Sequence, residues 1–194
     1  MPRALEIPIA VVGLLLVLPL LLIIAVAVQL ADGSPVLYRA RRVGLNGTQF
    51  DLLKFRTMCP GADNQRYGLT TKNDPRITPL GEFLRRFKLD ELPQLINVLR
   101  SEMSFVGPRP EDPRYVSLYS EEQKQVLKFR PGITSPASLS YKDEASLLGD
   151  GNGDRTYVEM ILPHKLKLDH EYFSRRTLAS DLGLIFQTIG GIVR

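Results

Sequence analysis

The sequence predicts a mixed α/β fold, mostly helical, with a compact domain over residues 35–194 and one apolar helix over residues 1–34 before it. Three observations predict this. From Ile7 to Leu30 the chain carries no charge, and beyond Ala31 it becomes mixed and polar. A strand–turn–strand pattern brackets Asn46-Gly47, a dipeptide that supplies the positive φ angles of a tight hairpin. From Leu80 onward apolar residues recur at helical spacing, with prolines as punctuation.

Three readings compete for the apolar segment. Arg3 and the small pair Ala25 and Ala27 suggest a cleaved signal peptide, but the run exceeds the ~7–15 residues of a secretory core. A spanning helix has the length: at ~1.5 Å per residue the run reaches about 36 Å, against a hydrocarbon layer of ~30 Å. A re-entrant helix would enter and leave on one side. Pro19 removes a backbone hydrogen bond and crowds the preceding turn, so a kink is expected near Val17 to Pro19. Arg39, Arg41 and Arg42 follow the segment and only Arg3 precedes it. The positive-inside bias then puts the downstream domain in the cytoplasm under either membrane reading.

Further along, Val36 to Val43 reads as a strand, Gly44 to Gly47 as a turn, and Thr48 to Met58 as the returning strand with Lys54 and Arg56. Pro60 to Pro79 is polar and rich in turn formers, a loop long enough to have a function. Leu80 to Arg100 is helical but divided by Pro93, which a helix accepts only in its first turn; the second helix therefore starts near Leu89 or Asp90. Two Pro-rich turns, Gly107 to Pro110 and Arg130 to Thr134, flank a helical stretch from Ser120 to Phe129. Helices over Thr156 to Phe173 and Leu178 to Val193 close the chain. The last is apolar around much of its circumference, as suits a helix lying on a bilayer.

A net charge of +4 suits an anionic membrane surface or phosphate-bearing substrates. Nucleic acid is disfavoured: no basic run is interleaved with aromatics, and there is no tryptophan. The single cysteine, Cys59, excludes an internal disulfide and fits a reducing compartment. There is no Walker loop, no dinucleotide-binding glycine motif and no nucleophile elbow. Asp150-Gly151-Asn152-Gly153-Asp154 imitates a calcium loop, yet Arg155 and Ile161 occupy the positions that need glycine and glutamate, so it reads as a turn. His164 and His170 lack partners at zinc spacing.

The chemistry concentrates at Asp90-Glu91. A helix starting here would put Asp90 at its positive end, where exposed N–H groups and the dipole favour the ionised form. An ionised carboxylate is a competent nucleophile toward phosphorus; equally, Asp at a helix start is commonly a cap. Lys54, Arg56, Arg85, Arg86 and Arg109 could each be solvated charges. Arg109, however, is pinned between Pro108 and Pro110, which restricts its backbone in a way a merely solvated arginine does not need. Several guanidiniums around a carboxylate suit a diphosphate substrate.

Taken together, five segments resemble the bacterial sugar transferase family, the monotopic phosphoglycosyl transferases: Lys54-Phe55-Arg56-Thr57-Met58, Asp74-Pro75-Arg76-Ile77-Thr78, Leu89-Asp90-Glu91-Leu92-Pro93-Gln94-Leu95, Met103 to Pro110, and Arg130-Pro131-Gly132-Ile133-Thr134. They follow the family's order and spacing across essentially the whole chain. The resemblance implies that Asp90 attacks the sugar-linked phosphorus of a UDP-sugar and releases UMP. Polyprenol phosphate, usually undecaprenyl phosphate, then takes the sugar phosphate to give a polyprenol diphosphate sugar. It implies Mg2+ near Asp90 and a second dyad member at Glu91, acting as base or as orienting group. Lys54, Arg56, Arg85, Arg109, Arg130 and Thr134 are the substrate-binding candidates.

The resemblance also implies a re-entrant helix in the inner membrane, amphipathic helices at the lipid interface, and a catalytic domain on the cytoplasmic face. Where the family breaks its helix at Ser-Pro, this chain has Leu18-Pro19. The stretch Ser135-Pro136-Ala137-Ser138 departs from the commoner glycine-containing continuation and bears on sugar choice. The sugar, the pathway and the oligomeric state are not readable, and a homodimer stays open.

Overall fold

Helix α1 (Arg3–Asp32) continues through both interior prolines, Pro8 and Pro19, so Pro19 does not end it. The structure, a computed structural model, describes residues 1–62, 69–71, 74–148 and 153–193. Much of the predicted Pro60 to Pro79 loop and most of the Asp150 to Asp154 turn lie outside the described residues.

At 30 residues, α1 is long and apolar enough to cross a membrane. Its buried residues, Glu6, Ala10, Leu21, Ile24 and Val28, recur at helical intervals and so form one stripe. Ala10 packs in a cluster with Phe50, Leu52, Val98 and Met103. Leu21, Ile24 and Val28 pack with Phe55 and Leu84. Leu15, Leu16, Leu22, Ile23, Val26 and Leu30 are exposed.

Both ends of α1 are tied to the rest of the molecule. Arg3 donates to the Val98 carbonyl at 2.7 Å and pairs with the fully buried Glu6 at 3.0 Å. At the other end the Arg56 guanidinium donates to the carbonyls of Asp32 and Gly33, each at 2.6 Å. Those bonds satisfy acceptors that a helix terminus leaves open. Thr78 Oγ1 adds a bond to the Asp32 carboxylate at 3.0 Å.

Strands β1 (Leu37–Val43) and β2 (Gln49–Phe55) form the expected antiparallel hairpin, with Leu37 opposite Phe55 and Val43 opposite Gln49. Asn46 (φ 54°) and Gly47 (φ 80°) make the turn. Helix α2 (Pro79–Arg86) begins on the Thr78 side chain, which accepts from the Gly81 N–H at 3.0 Å, with Pro79 in the first turn. Lys88, at φ 56°, then turns the chain into a 3₁₀ turn, Leu89–Glu91. Leu92 and Pro93 keep right-handed helical angles and lead into α3 (Gln94–Leu99). The helical path thus starts at Leu89, as Pro93 requires.

Strand β3 (Ser104–Val106) precedes α4 (Pro113–Val116) and a 3₁₀ helix, Gln123–Lys128, within the helical stretch expected from Ser120 to Phe129. Strand β4 (Gly132–Thr134) pairs in parallel with β3, Ser104 beside Gly132 and Val106 beside Thr134. Sequence reasoning gives two isolated turns here; the structure joins them. A Cβ on Gly132 would overlap the Gly107 backbone nitrogen, and one on Gly107 would overlap the Arg130 carbonyl. Only glycine allows that approach. Next come α5 (Pro136–Ser140), α6 (Glu144–Leu147) and α7 (Gly153–Thr156). A π-helical turn, Tyr157–Ile161, then feeds α8 (Leu162–Phe173), and α9 (Leu178–Val193) follows. A core of Tyr115, Tyr119, Val126, Leu148, Tyr157, Ile161, Leu162 and Leu166 joins these segments.

Candidate active site

Three chain segments converge on Glu91. Lys54 on β2 donates to Glu91 Oε1 at 2.9 Å, and Arg109, from the loop after β3, donates to the same oxygen at 2.7 Å. The Glu91 side chain is 13% exposed. Burial alone would raise its pKa, but Arg109 and Lys54 outweigh burial and hold it well below the usual carboxylate range. Burial lowers the Lys54 ammonium, with Glu91 opposing and Arg109 reinforcing. The Arg109 guanidinium is held charged, chiefly by Glu91.

Asp90, 5% exposed, differs from its neighbour in one respect that matters. Its Oδ1 is buried and has no hydrogen-bond partner among the described residues. Burial raises its pKa, opposed by Lys54 and reinforced by Glu91. This differs from the expectation that a helix terminus favours its ionised form: burial outweighs the favourable charges of Lys54 and Arg85. Nor is Asp90 a cap: Lys88 precedes the 3₁₀ turn, Pro93 precedes α3, and neither start has a side-chain cap. A buried carboxylate oxygen with nothing to accept is costly and calls for a specific explanation, a catalytic role among them.

Arg85, at the end of α2, uses Nε on Thr57 Oγ1 at 2.8 Å and Nη1 on Thr70 Oγ1 at 3.3 Å. Its charge acts on Asp90, so it belongs to the same group. The nearby Asp74–Arg76 pair is a loop clamp: Arg76 meets Asp74 at 2.6 Å and also donates to the carbonyls of Ala62 and Leu69.

The other three candidates have no hydrogen bond to the dyad among the described residues. Arg56 is committed to the C-terminus of α1, as described above, and its Nε and Nη1 are buried without partners. Thr134 Oγ1 meets Thr188 Oγ1 of α9 at 2.6 Å. Arg130 has a buried Nε without a partner; the β3–β4 pairing brings its backbone beside Gly107, and no hydrogen bond among the described residues joins its side chain to Asp90 or Glu91.

Sequence reasoning missed a second polar group behind Arg109. Asp169 Oδ1 accepts from the Ala137 N–H at 3.0 Å, and the carboxylate also takes the backbone N–H of Arg109. Burial pushes Asp169 up to about 6. Lys165 reaches Glu144 at 2.6 Å and the Tyr157 hydroxyl at 3.2 Å, and that hydroxyl donates to Glu111. Arg109, Glu111, Lys165 and Asp169 line a small cavity that neither Asp90 nor Glu91 lines. The available signal was Lys165 and Asp169 four apart among the apolar positions Leu162, Leu166 and Phe173, polar residues on a helix face turned to the core.

The site therefore offers one unsatisfied buried carboxylate, a neighbour locked in charged form, and three cationic side chains. This arrangement suits attack on, and charge stabilisation of, a phosphoryl group. Comparison with known sequences agrees. The family model "Bacterial sugar transferase" matches residues 1–194. An exopolysaccharide production protein, ExoY, of Rhizobium meliloti (strain 1021) is 36% identical over 205 residues, covering 98% of this chain and 84% of that protein. A UDP-glucose:undecaprenyl-phosphate glucose-1-phosphate transferase of Escherichia coli (strain K12) is 35% identical, covering 96% of this chain and 39% of that protein. A UDP-N-acetylgalactosamine-undecaprenyl-phosphate N-acetylgalactosaminephosphotransferase of Aeromonas hydrophila is 31% identical, covering 98% and 43%.

Proposed function

Because the chain belongs to the bacterial sugar transferase family, we propose that it moves a sugar 1-phosphate from a UDP-sugar to undecaprenyl phosphate. Asp90 is the nucleophile. One carboxylate oxygen forms a bond to the sugar-linked phosphorus, the bond from that phosphorus to the bridging oxygen breaks, and UMP leaves with the electron pair. The phosphate of the lipid acceptor then attacks the aspartyl phosphorus, regenerating the Asp90 carboxylate and giving undecaprenyl diphosphate sugar. The observation that carries this reading is the buried, unpartnered Oδ1 of Asp90 beside a Glu91 whose Oε1 is already used twice.

Glu91 is a weak base in this setting, since Arg109 and Lys54 hold it ionised, and the lipid phosphate is largely ionised near neutrality without help. Its role is to orient Lys54 and Arg109. Arg109 spends one of its five N–H donors on Glu91 and keeps others for the diphosphate. Magnesium fits the donor set in a limited way: it commonly takes one or two protein carboxylates plus substrate phosphates, and Asp90 has an oxygen to give. Bound there, it would neutralise charge on the diphosphate.

The membrane arrangement belongs to the same proposal. An exposed apolar face along α1, with both helix ends bonded to one domain, is the arrangement expected of a re-entrant helix at the inner membrane, with the catalytic domain on the cytoplasmic face. Exposed Leu178, Leu182, Phe186 and Ile189 of α9 extend the apolar surface and suit interfacial contact with lipid.

The test is a half-reaction. Purified chain given a panel of UDP-sugars with magnesium and no lipid acceptor should release at most about one UMP per chain and gain the mass of one sugar phosphate. Asp90→Asn should do neither. Full turnover by Asp90→Asn would leave direct attack by the lipid phosphate as the mechanism, and release of UDP would mean transfer of the sugar alone.

A further inference from the structure

Two buried polar atoms in one helical path lack partners: Asp90 Oδ1 and Gln94 Nε2. The backbone is right-handed from Leu89 to Leu99, and its buried positions Asp90, Pro93, Gln94, Asn97 and Val98 follow the i, i+3, i+4, i+7, i+8 pattern of one helix face. Residues four apart on a helix have Cβ atoms within about 6 Å, so the Gln94 carboxamide is within reach of the Asp90 carboxylate.

Asn97 supplies the contrast. It is fully buried, and its amide is fully used: Oδ1 accepts from the Leu53 N–H at 3.0 Å, while Nδ2 donates to the Asp51 carbonyl at 2.8 Å and to Glu102 at 2.6 Å. An amide kept only to fix α3 against β2 behaves like that. Gln94, 1% exposed, leaves a donor idle where desolvation is costly. Among the described residues the neighbouring cations make their hydrogen bonds to other groups, Lys54 and Arg109 to Glu91 and Arg85 to Thr57 and Thr70.

Resting on the reading of Asp90 as nucleophile, we infer that Gln94 is a positioning residue: its Nε2–H donates to Asp90 Oδ1 as the diphosphate enters, fixing the carboxylate plane and directing the other oxygen at phosphorus. Gln94 does not touch substrate. Its contribution is to the orientation of the attacking group and is realised in the transition state.

The experiment measures steady-state UMP release by the full chain, with the UDP-sugar it turns over, undecaprenyl phosphate and magnesium. Gln94→Met keeps the length and removes the donor; Gln94→Leu removes it in a shorter apolar side chain. Both should lose at least tenfold in kcat, about 1.4 kcal/mol, with the KM for UDP-sugar within twofold of wild type and an unchanged melting temperature. Wild-type kcat in either folded variant overturns the inference. So does a rise in KM with kcat unchanged, the signature of uniform substrate binding. If Gln94→Met does not fold, Gln94→Leu decides. Absence of UMP release by the wild-type chain on every UDP-sugar overturns the functional reading beneath it; release by wild type with unaffected variants overturns this inference alone.

Discussion

Replacing Glu91 by glutamine keeps the shape of the side chain and removes the charge shared by Lys54 and Arg109. Their nitrogens lie 2.9 and 2.7 Å from the same oxygen, so the variant leaves two cations facing a neutral amide. Removing one partner of a fully buried pair costs about 3–5 kcal/mol. Here the Lys54 and Arg109 side chains keep 21% and 34% of their surface, and water screens part of the loss, giving about 2 kcal/mol. For a domain of this size that is roughly 4–8 °C in melting temperature. The effect has a pH signature. Glu91 titrates in the folded chain well below its ordinary value of 4.5, so its contribution is complete above 4.5 and is lost as pH falls through the folded value. Thermal melts of both proteins in detergent should differ fully at pH 7, and the difference should shrink only below about pH 4.5. Equal melting temperatures at pH 7, or a difference that closes near neutrality, would refute the shared-charge account of Glu91.

Arg109→Ala should lose more than tenfold in UMP release, roughly 1.4 kcal/mol or more. Arg114→Ala, which breaks the surface pair with Asp112, should do far less; equal losses would reduce both to general surface charge. Asp90→Asn should abolish UMP release without lowering the melting temperature at pH 7. Burial raises the folded pKa of Asp90 above its ordinary 3.8, so its ionised form weakens the fold as pH rises through that range; a clear destabilisation would mean a hidden partner for Oδ1. Gly132→Ala should cost about 1–3 kcal/mol through backbone displacement and lower UMP release with it, whereas wild-type melting would show that β3 and β4 separate freely. Cysteines at positions 3 and 34, in a background lacking Cys59, should both escape a charged label confined to the outside, and labelling at position 3 alone would restore the spanning helix.

The hairpin, the proline-divided helices and the apolar helix were legible because each rests on local chemistry: a turn dipeptide, a missing N–H, an uninterrupted hydrophobic run. At the site, the structure brings together Lys54, Arg85, Asp90, Glu91 and Arg109, all on segments whose residue types alone suggested phosphate chemistry. The pairing of β3 with β4 was not legible, since three-residue strands carry no period and the close approach of Gly107 and Gly132 depends on chain segments far apart. Arg56 looks like a ligand-facing arginine from its strand position; only the fold reveals the carbonyls of Asp32 and Gly33 waiting for it. For Asp169 and Lys165 the spacing on an apolar helix face was there to read, but not their purpose, because their partners come from the segments around Ala137 and Glu144.

The tethering of α1 at Arg3 and at Asp32 has a mechanical consequence. A helix fastened at one end can swing, whereas one fastened at both ends, with Leu21, Ile24 and Val28 seated between, acts as a strut. If its exposed apolar side rests in lipid, as proposed, Asp90 is carried to a set height above that level, because α1, β2 and the 3₁₀ turn share one apolar cluster. The depth of the anchor and the altitude of the proposed nucleophile would then be a single variable. An acceptor whose phosphate rides at the bilayer surface would be met by its height, while the tail beneath extends past the strut without being measured.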